Sequence, residues 1–274
     1  MIKAILVLAD ETPRFETTLA SAVELCRKFG AHVDAIHFRP DPLTLLPVSD
    51  DGVPLDLLEE IRKSAAAAAN ERESATRAIF ERLSKATAVP ASWQVSTGEE
   101  IDVASAAARL RDLTVFGRPD ESTAPEWRRI VHAVLFGSGR PVLLLPRTPP
   151  SSFGDHVAVA WNGSKESSRA VAESLPFLQQ AKQVTVLSAG ALDPYASAAG
   201  LVAYLERHDI RAVAREFESG HESIGKALLE QARQANADLM VMGGYSHSRL
   251  REVILGGATR EIVDESDLPV LMAH

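Results

Sequence analysis

The chain repeats its own plan at a period of about half its length, and this constrains its fold more than any other feature. Ile5-Leu6-Val7-Leu8-Ala9-Asp10 is an apolar, strand-like run, followed by a helical pattern from Phe15 to Phe29 that Gly30 stops. Val157-Ala158-Val159-Ala160-Trp161-Asn162-Gly163-Ser164 opens the second half in the same way, with a helical pattern from about Glu166 to Gln180 behind it. The halves also close alike: Arg140-Pro141-Val142-Leu143-Leu144-Leu145 mirrors Leu268-Pro269-Val270-Leu271-Met272. Internal self-similarity of this kind indicates a duplicated unit. Pro146 to Gly154, rich in Pro, Ser and Gly, reads as the linker. The expected units are residues 1–147 and 154–274, and 274 residues suffice for two domains of ordinary size.

Within each unit apolar runs alternate with helical patterns. In the second half the order runs Val157–Ala160, helix, Val184–Ser188, helix near Leu201–Arg207, strand Arg211–Phe217, helix Ile224–Ala235, strand Leu239–Met242, helix, strand Val270–Met272. Ile224, Ala227, Leu228, Ala232 and Ala235 fall on one helical face. Continuous apolar strands joined by helices predict an α/β fold: two three-layer domains, each with a mainly parallel five-stranded sheet covered on both faces. The short, apolar, repeated final strands are natural pairing edges, which predicts an internal pseudo-dimer. Ligands of such sheets bind beyond the carboxyl ends of the strands, where strand order reverses. Asn162-Gly163-Ser164 and Gly243–Ser246 both follow strand ends of that kind.

The net charge of −8 is spread over both halves, so no concentrated basic face points to nucleic acid. No apolar stretch has the length of a bilayer span, and the N-terminal run reads as a first strand. Cys26 is the single cysteine and shares a helical pattern with Ala22, Leu25 and Phe29; an inert core thiol in a reducing cytoplasm is the expectation. His208, His221, His247 and His274 are scattered without metal-ligand spacing. No Ser/His/Asp set, carboxylate pair or nucleophile elbow is present, so no catalytic residue and no metal ligand is assigned.

The segment from Met242 to Thr259, Met-Gly-Gly-Tyr-Ser-His-Ser-Arg-Leu-Arg-Glu-Val-Ile-Leu-Gly-Gly-Ala-Thr, carries most of the functional information. Glycines after a strand, and again where a helix begins, let backbone N–H groups approach and cradle phosphates. Residues 154–274 resemble a universal stress protein domain, with its strand, [Asp/Asn]-Gly-Ser turn and Gly-x2-Gly-x9-Gly-[Ser/Thr] signature. The first half resembles a more diverged copy. The resemblance implies Rossmann-like domains of the adenine nucleotide alpha hydrolase type. It also implies a stress-response protein that binds ATP, with or without Mg, and at most hydrolyses it slowly. Gly243 matches the first signature glycine and Gly256 the third, whereas Ser246 stands at the second and Gly257 at the Ser/Thr position. With Ala258 and Thr259 these would hold phosphate; Ala160, Asn162, Ala189 and Met242 would surround base and ribose. A homodimer of the tandem chain is a further implied partner.

The first half has lost this signature. Gly117-Arg118-Pro119-Asp120 follows its fourth strand, and alignment of Pro141 with Pro269 sets Arg128 and Arg129 against Gly256 and Gly257. Asp10 remains, but bulky side chains replace the glycines, so a structural role is expected there. Gly220-His221-Glu222-Ser223-Ile224-Gly225-Lys226-Ala227 fits Gly-x4-Gly-Lys, yet lacks the hydroxyl that would hold Mg2+ and follows a third strand instead of a first. Ordinary helix initiation accounts for it. The competing reading from another class is an interaction scaffold of the same fold that has lost its nucleotide.

Overall fold

The structure, a computed structural model, describes residues 1–39, 55–120, 123–190, 192–244 and 257–274. The first half runs β1 (Ala4–Ala9), α1 (Pro13–Phe29), β2 (His32–Arg39), α2 (Leu55–Thr87), β3 (Ala91–Thr97), α3 (Glu100–Ala108), β4 (Leu113–Gly117), α4 (Ala124–Gly137) and β5 (Val142–Leu145). The second repeats that order: β6 (His156–Ala160), α5 (Lys165–Leu178), β7 (Gln183–Ala189), α6 (Ala198–Glu206), β8 (Ala212–Phe217), α7 (Ile224–Gln234), β9 (Leu239–Gly243), α8 (Gly257–Glu265) and β10 (Val270–Ala273).

The ten strands of the described residues form one sheet, ordered β3-β2-β1-β4-β5-β10-β9-β6-β7-β8. Each half is parallel throughout, and the halves meet where β5 and β10 pair antiparallel, Leu143 opposite Leu271. The sheet is therefore continuous and yet internally two-fold, as expected from the repeated Pro-Val-Leu endings.

Strand alternation sends side chains into two cores. Ile5, Val7, Val157, Val159, Leu239, Val241, Leu143 and Leu271 face α1, α2, α5 and α6. Leu6, Ala158, Met240, Met242, Val142, Leu144, Val270 and Met272 face α3, α4, α7 and α8. Nearly every one of these is fully buried, so both faces of the sheet are covered and the strands read as unbroken apolar runs.

Polar anchors repeat as well. Asp112 before β4 accepts N–H bonds from Lys3 (2.7 Å) and Ala4 (3.0 Å) at the start of β1. Asp238 before β9 does the same for Gly154 (2.9 Å), Asp155 (3.1 Å) and His156 (3.0 Å) at the start of β6. Helix ends follow sequence signals. Pro13 begins α1 and Gly30 ends it with φ +62°, while the Ser164 hydroxyl caps α5 through the Ser167 N–H at 3.2 Å. One expectation fails: Ile224 is 49% exposed, because α7 begins at that residue and its buried face starts one residue later, with Gly225.

Candidate functional site

The strand order reverses between β6 and β9, since β6 continues to β7 on one side and has β9 on the other. Ala160 and Met242 are direct register partners at this switch point, and Ala160 also stands opposite Leu187 of β7. The carboxyl ends of β9, β6 and β7 thus lie side by side and bring Gly243, Met242, Ala160, Asn162 and Ala189 to one edge. This is where a sheet of this topology receives ligands.

The individual residues do different things. The Asn162 side chain accepts the Ser164 N–H at 3.1 Å, which fixes the turn into α5. Gly163 in that turn has φ +71°, and a Cβ there would meet Ala196 Cβ at 3.0 Å, so glycine is required on both counts. Ala160 and Ala189 are partly buried at the strand ends. Met242 is 5% exposed and its side chain lies in the core, so it presents backbone to the edge instead of a side-chain wall.

Gly243 has a packing reason of its own. A Cβ at that position would meet Ser167 N at 2.5 Å and the Glu166 carbonyl carbon at 2.6 Å, so β9 touches the first turn of α5 through glycine. Gly257 is exposed at the start of α8, and no atom of the other described residues lies within 4 Å of where its Cβ would be. Ala258 is partly buried beside it, and its carbonyl lies 2.9 Å from where a Cβ on Gly225 would stand. Thr259 shares the buried face of α8 with Ile262 and Val263 and does not present an open hydroxyl on the first turn. Ser246, Gly256 and His247 lie outside the described residues.

The described part of this edge carries features that an adenine nucleotide would use. The described first turn of α8 contains no acidic residue, so its N–H groups and dipole favour an anion. Gly257 and Ala258 would hold phosphate through backbone N–H, Asn162 would face the ribose, and Ala160, Ala189 and the Met242 backbone would border the base. ATP would bring an anionic, adenine-bearing ligand to a site for which no proton-transferring side chain is assigned.

The equivalent place in the first half is filled by its own side chains. Asp10 stands where Asn162 does and makes the same turn, accepting the Thr12 N–H at 3.0 Å. Arg14 then binds Asp10 through Nε at 2.9 Å and Nη2 at 2.7 Å, and its Nη1 reaches Thr123 before α4 at 3.4 Å. Glu100, which opens α3, has its pKa raised by burial first, then by Asp10 and Glu126, with Arg14 opposing. Carboxylates around one committed arginine disfavour a phosphate. Arg128 does not point to a phosphate loop here; its guanidinium pairs with Asp264 of α8 at 2.8 Å.

Other expectations find their places. Cys26 is buried, and burial together with Asp34 pushes its thiol up to about 12, an inert core group. Gly220–Ala227 follows the edge strand β8 and opens α7 by ordinary capping: the Ser223 hydroxyl accepts the Lys226 N–H at 3.4 Å, Gly225 packs against Ala258 of α8, and Lys226 is exposed. Among the described residues no cluster of His, Cys, Asp and Glu could hold a metal, and no helix is long and apolar enough to cross a membrane.

Sequence reasoning missed Trp161, whose Nε1 donates to the Ala196 carbonyl at 2.8 Å and anchors the segment after β7. It also missed Arg14, visible only as an i,i+4 partner of Asp10, and the grouping of Arg118 with Arg147.

The sequence model of the Universal stress protein family matches residues 155–274. Among solved structures, a universal stress protein from Archaeoglobus fulgidus DSM 4304 superposes with TM-score 0.75 at 16% identity, covering 98% of this chain and 95% of that one. A provisionally assigned universal stress protein from Pseudomonas aeruginosa UCBPP-PA14 gives TM-score 0.62 at 14% identity over 99% of this chain and 93% of its own. None of the curated proteins matches by sequence. Residues 155–274 belong to the universal stress protein family, and the chain has that fold across both of its halves.

Proposed function

We propose that this chain is a tandem universal stress protein whose second unit, residues 154–274, binds ATP or a related adenine nucleotide, while the first, residues 1–147, serves as its structural counterpart. One observation carries the reading: Ala160 and Met242 pair at the switch point of the second half and the described first turn of α8 holds no acidic residue, whereas Arg14 closes on Asp10 at the equivalent place in the first half. The nucleotide would act as a bound signal, with slow hydrolysis at most. A cytoplasmic location and a homodimer of the tandem chain belong to the same reading.

The second reading is a scaffold without nucleotide. Ser246 supports it, because a Cβ at the second signature position crowds the backbone that must approach phosphate. Mass spectrometry of small molecules released from freshly purified protein separates the two. An adenine nucleotide at close to one per chain supports the first reading; none, after purification and after incubation with ATP, supports the scaffold.

A further inference from the structure

Three arginines converge where the two halves meet, just after β4, on α4 and in the segment after β5. Arg118, Arg128 and Arg147 line a cavity of about 310 Å3 together with Pro119, Trp127 and Asp264. Asp264 is the one carboxylate among its described lining residues, and it is already engaged. Its Oδ1 accepts both Nε (3.1 Å) and Nη2 (2.8 Å) of Arg128, and Arg260 stands 3.5 Å from its Oδ2.

Arg118 is left short of acceptors. Its Nη1 donates to the Ser266 carbonyl, but Nε and Nη2 are buried with no partner among the described residues, and so is the Trp127 indole N–H. Burial holds the Arg118 guanidinium below its ordinary pKa; Asp264 opposes this, Arg147 adds to it and Asp267 opposes it. A buried guanidinium with unmet donors is costly unless an acceptor arrives, and a water would satisfy donors without neutralising the charge. Planar guanidinium donors match phosphate oxygens in paired hydrogen bonds.

We propose that this cleft binds a phosphate-class anion, held by Arg118, Arg128 and Arg147 with the Trp127 N–H as an additional donor. The site lies between the halves and is separate from the nucleotide position at β6, β9 and α8. An anion here would bridge the segment after β4, α4 and the segment after β5 within the first half, with Arg128 carrying the link to α8 through Asp264.

The test is titration of inorganic phosphate into the full chain carrying Gly256→Val, which removes the proposed nucleotide loop from the measurement, in chloride buffer of matched ionic strength. About one phosphate per chain is expected, with a rise in Tm. Arg147→Ala, an exposed residue whose loss leaves the core untouched, should weaken uptake at least tenfold, as should Arg118→Gln. If Arg118→Gln does not fold, Arg147→Ala alone decides. No uptake by the parent, or uptake unchanged in Arg147→Ala, overturns the proposal. Arg147→Ala in the otherwise native chain should leave ATP binding intact, so this site and the nucleotide reading fail independently.

Discussion

Arg128 of α4 reaches Asp264 of α8 at 2.8 Å across the line where β5 pairs with β10. Both side chains are about one-third exposed, so the pair is neither a free surface bridge nor a buried one. It couples the two helices that flank the sheet junction on the same face. Asp264→Ala should cost about 1 kcal/mol in urea unfolding, and a double-mutant cycle with Arg128→Ala should return a coupling of about 0.5–1 kcal/mol. A coupling near zero would make the pair incidental to the junction.

Gly243 and Gly257 should separate packing from binding. Gly243→Ala drives a Cβ against the backbone of Glu166 and Ser167, which cannot yield, so unfolding free energy should drop by about 1–3 kcal/mol. Gly257→Ala meets no other described residue within 4 Å and should change stability by no more than about 0.5 kcal/mol. Chemical denaturation of both variants checks this; equal losses would contradict the packing assigned to Gly243.

The Cys26 thiol should be unreactive in the folded chain. Its ordinary pKa of 9.0 is raised to about 12 by burial and Asp34, so the thiolate is scarce at pH 8–9. Because the folded state holds this proton more tightly than the unfolded chain, the thiol's stabilising contribution is complete below pH 9 and declines as pH rises toward 12. Iodoacetamide at pH 8.5 should label only denatured protein. Rapid labelling of the native chain would contradict the burial.

Much of the fold was legible because its signals are local and repeated. The apolar runs Ile5–Ala9 and Val157–Ala160, the stop at Gly30, the cap at Ser164 and the Pro-Val-Leu endings each state an element directly, and the ten-stranded order follows from duplicating one parallel unit. The turn at Asn162 was legible as well, since its Asx bond to Ser164 is two residues long. What stayed hidden depends on distance in sequence. Arg128 finds Asp264 136 residues away, and Arg118 reaches the Ser266 carbonyl 148 residues away. Gly243 looked like a phosphate glycine in sequence; only the approach of α5 reveals its packing role. Met242 and Thr259 were placed at the ligand edge by resemblance, but alternation along β9 and the buried face of α8 turn their side chains inward.

Lys226 distinguishes the two glycine-containing segments of the second half. Its neighbour Gly225 packs against Ala258, but the Lys226 side chain is exposed and has no role at the proposed site, so Lys226→Ala should leave ATP affinity within about twofold, inside the ordinary scatter of a surface substitution. Isothermal titration checks this. A loss of ATP binding in Lys226→Ala would move the site to the Gly220–Ala227 segment.

The central claim is that nucleotide binding is asymmetric between two halves of the same fold. Isothermal titration of ATP into the full chain tests it most directly, with Gly256→Val measured alongside. The expected result is one site per chain, lost in Gly256→Val through removal of several phosphate-binding backbone donors worth about 1.5–3 kcal/mol each, with folding unchanged by circular dichroism. Two equivalent sites, no site, or full binding by Gly256→Val would contradict it.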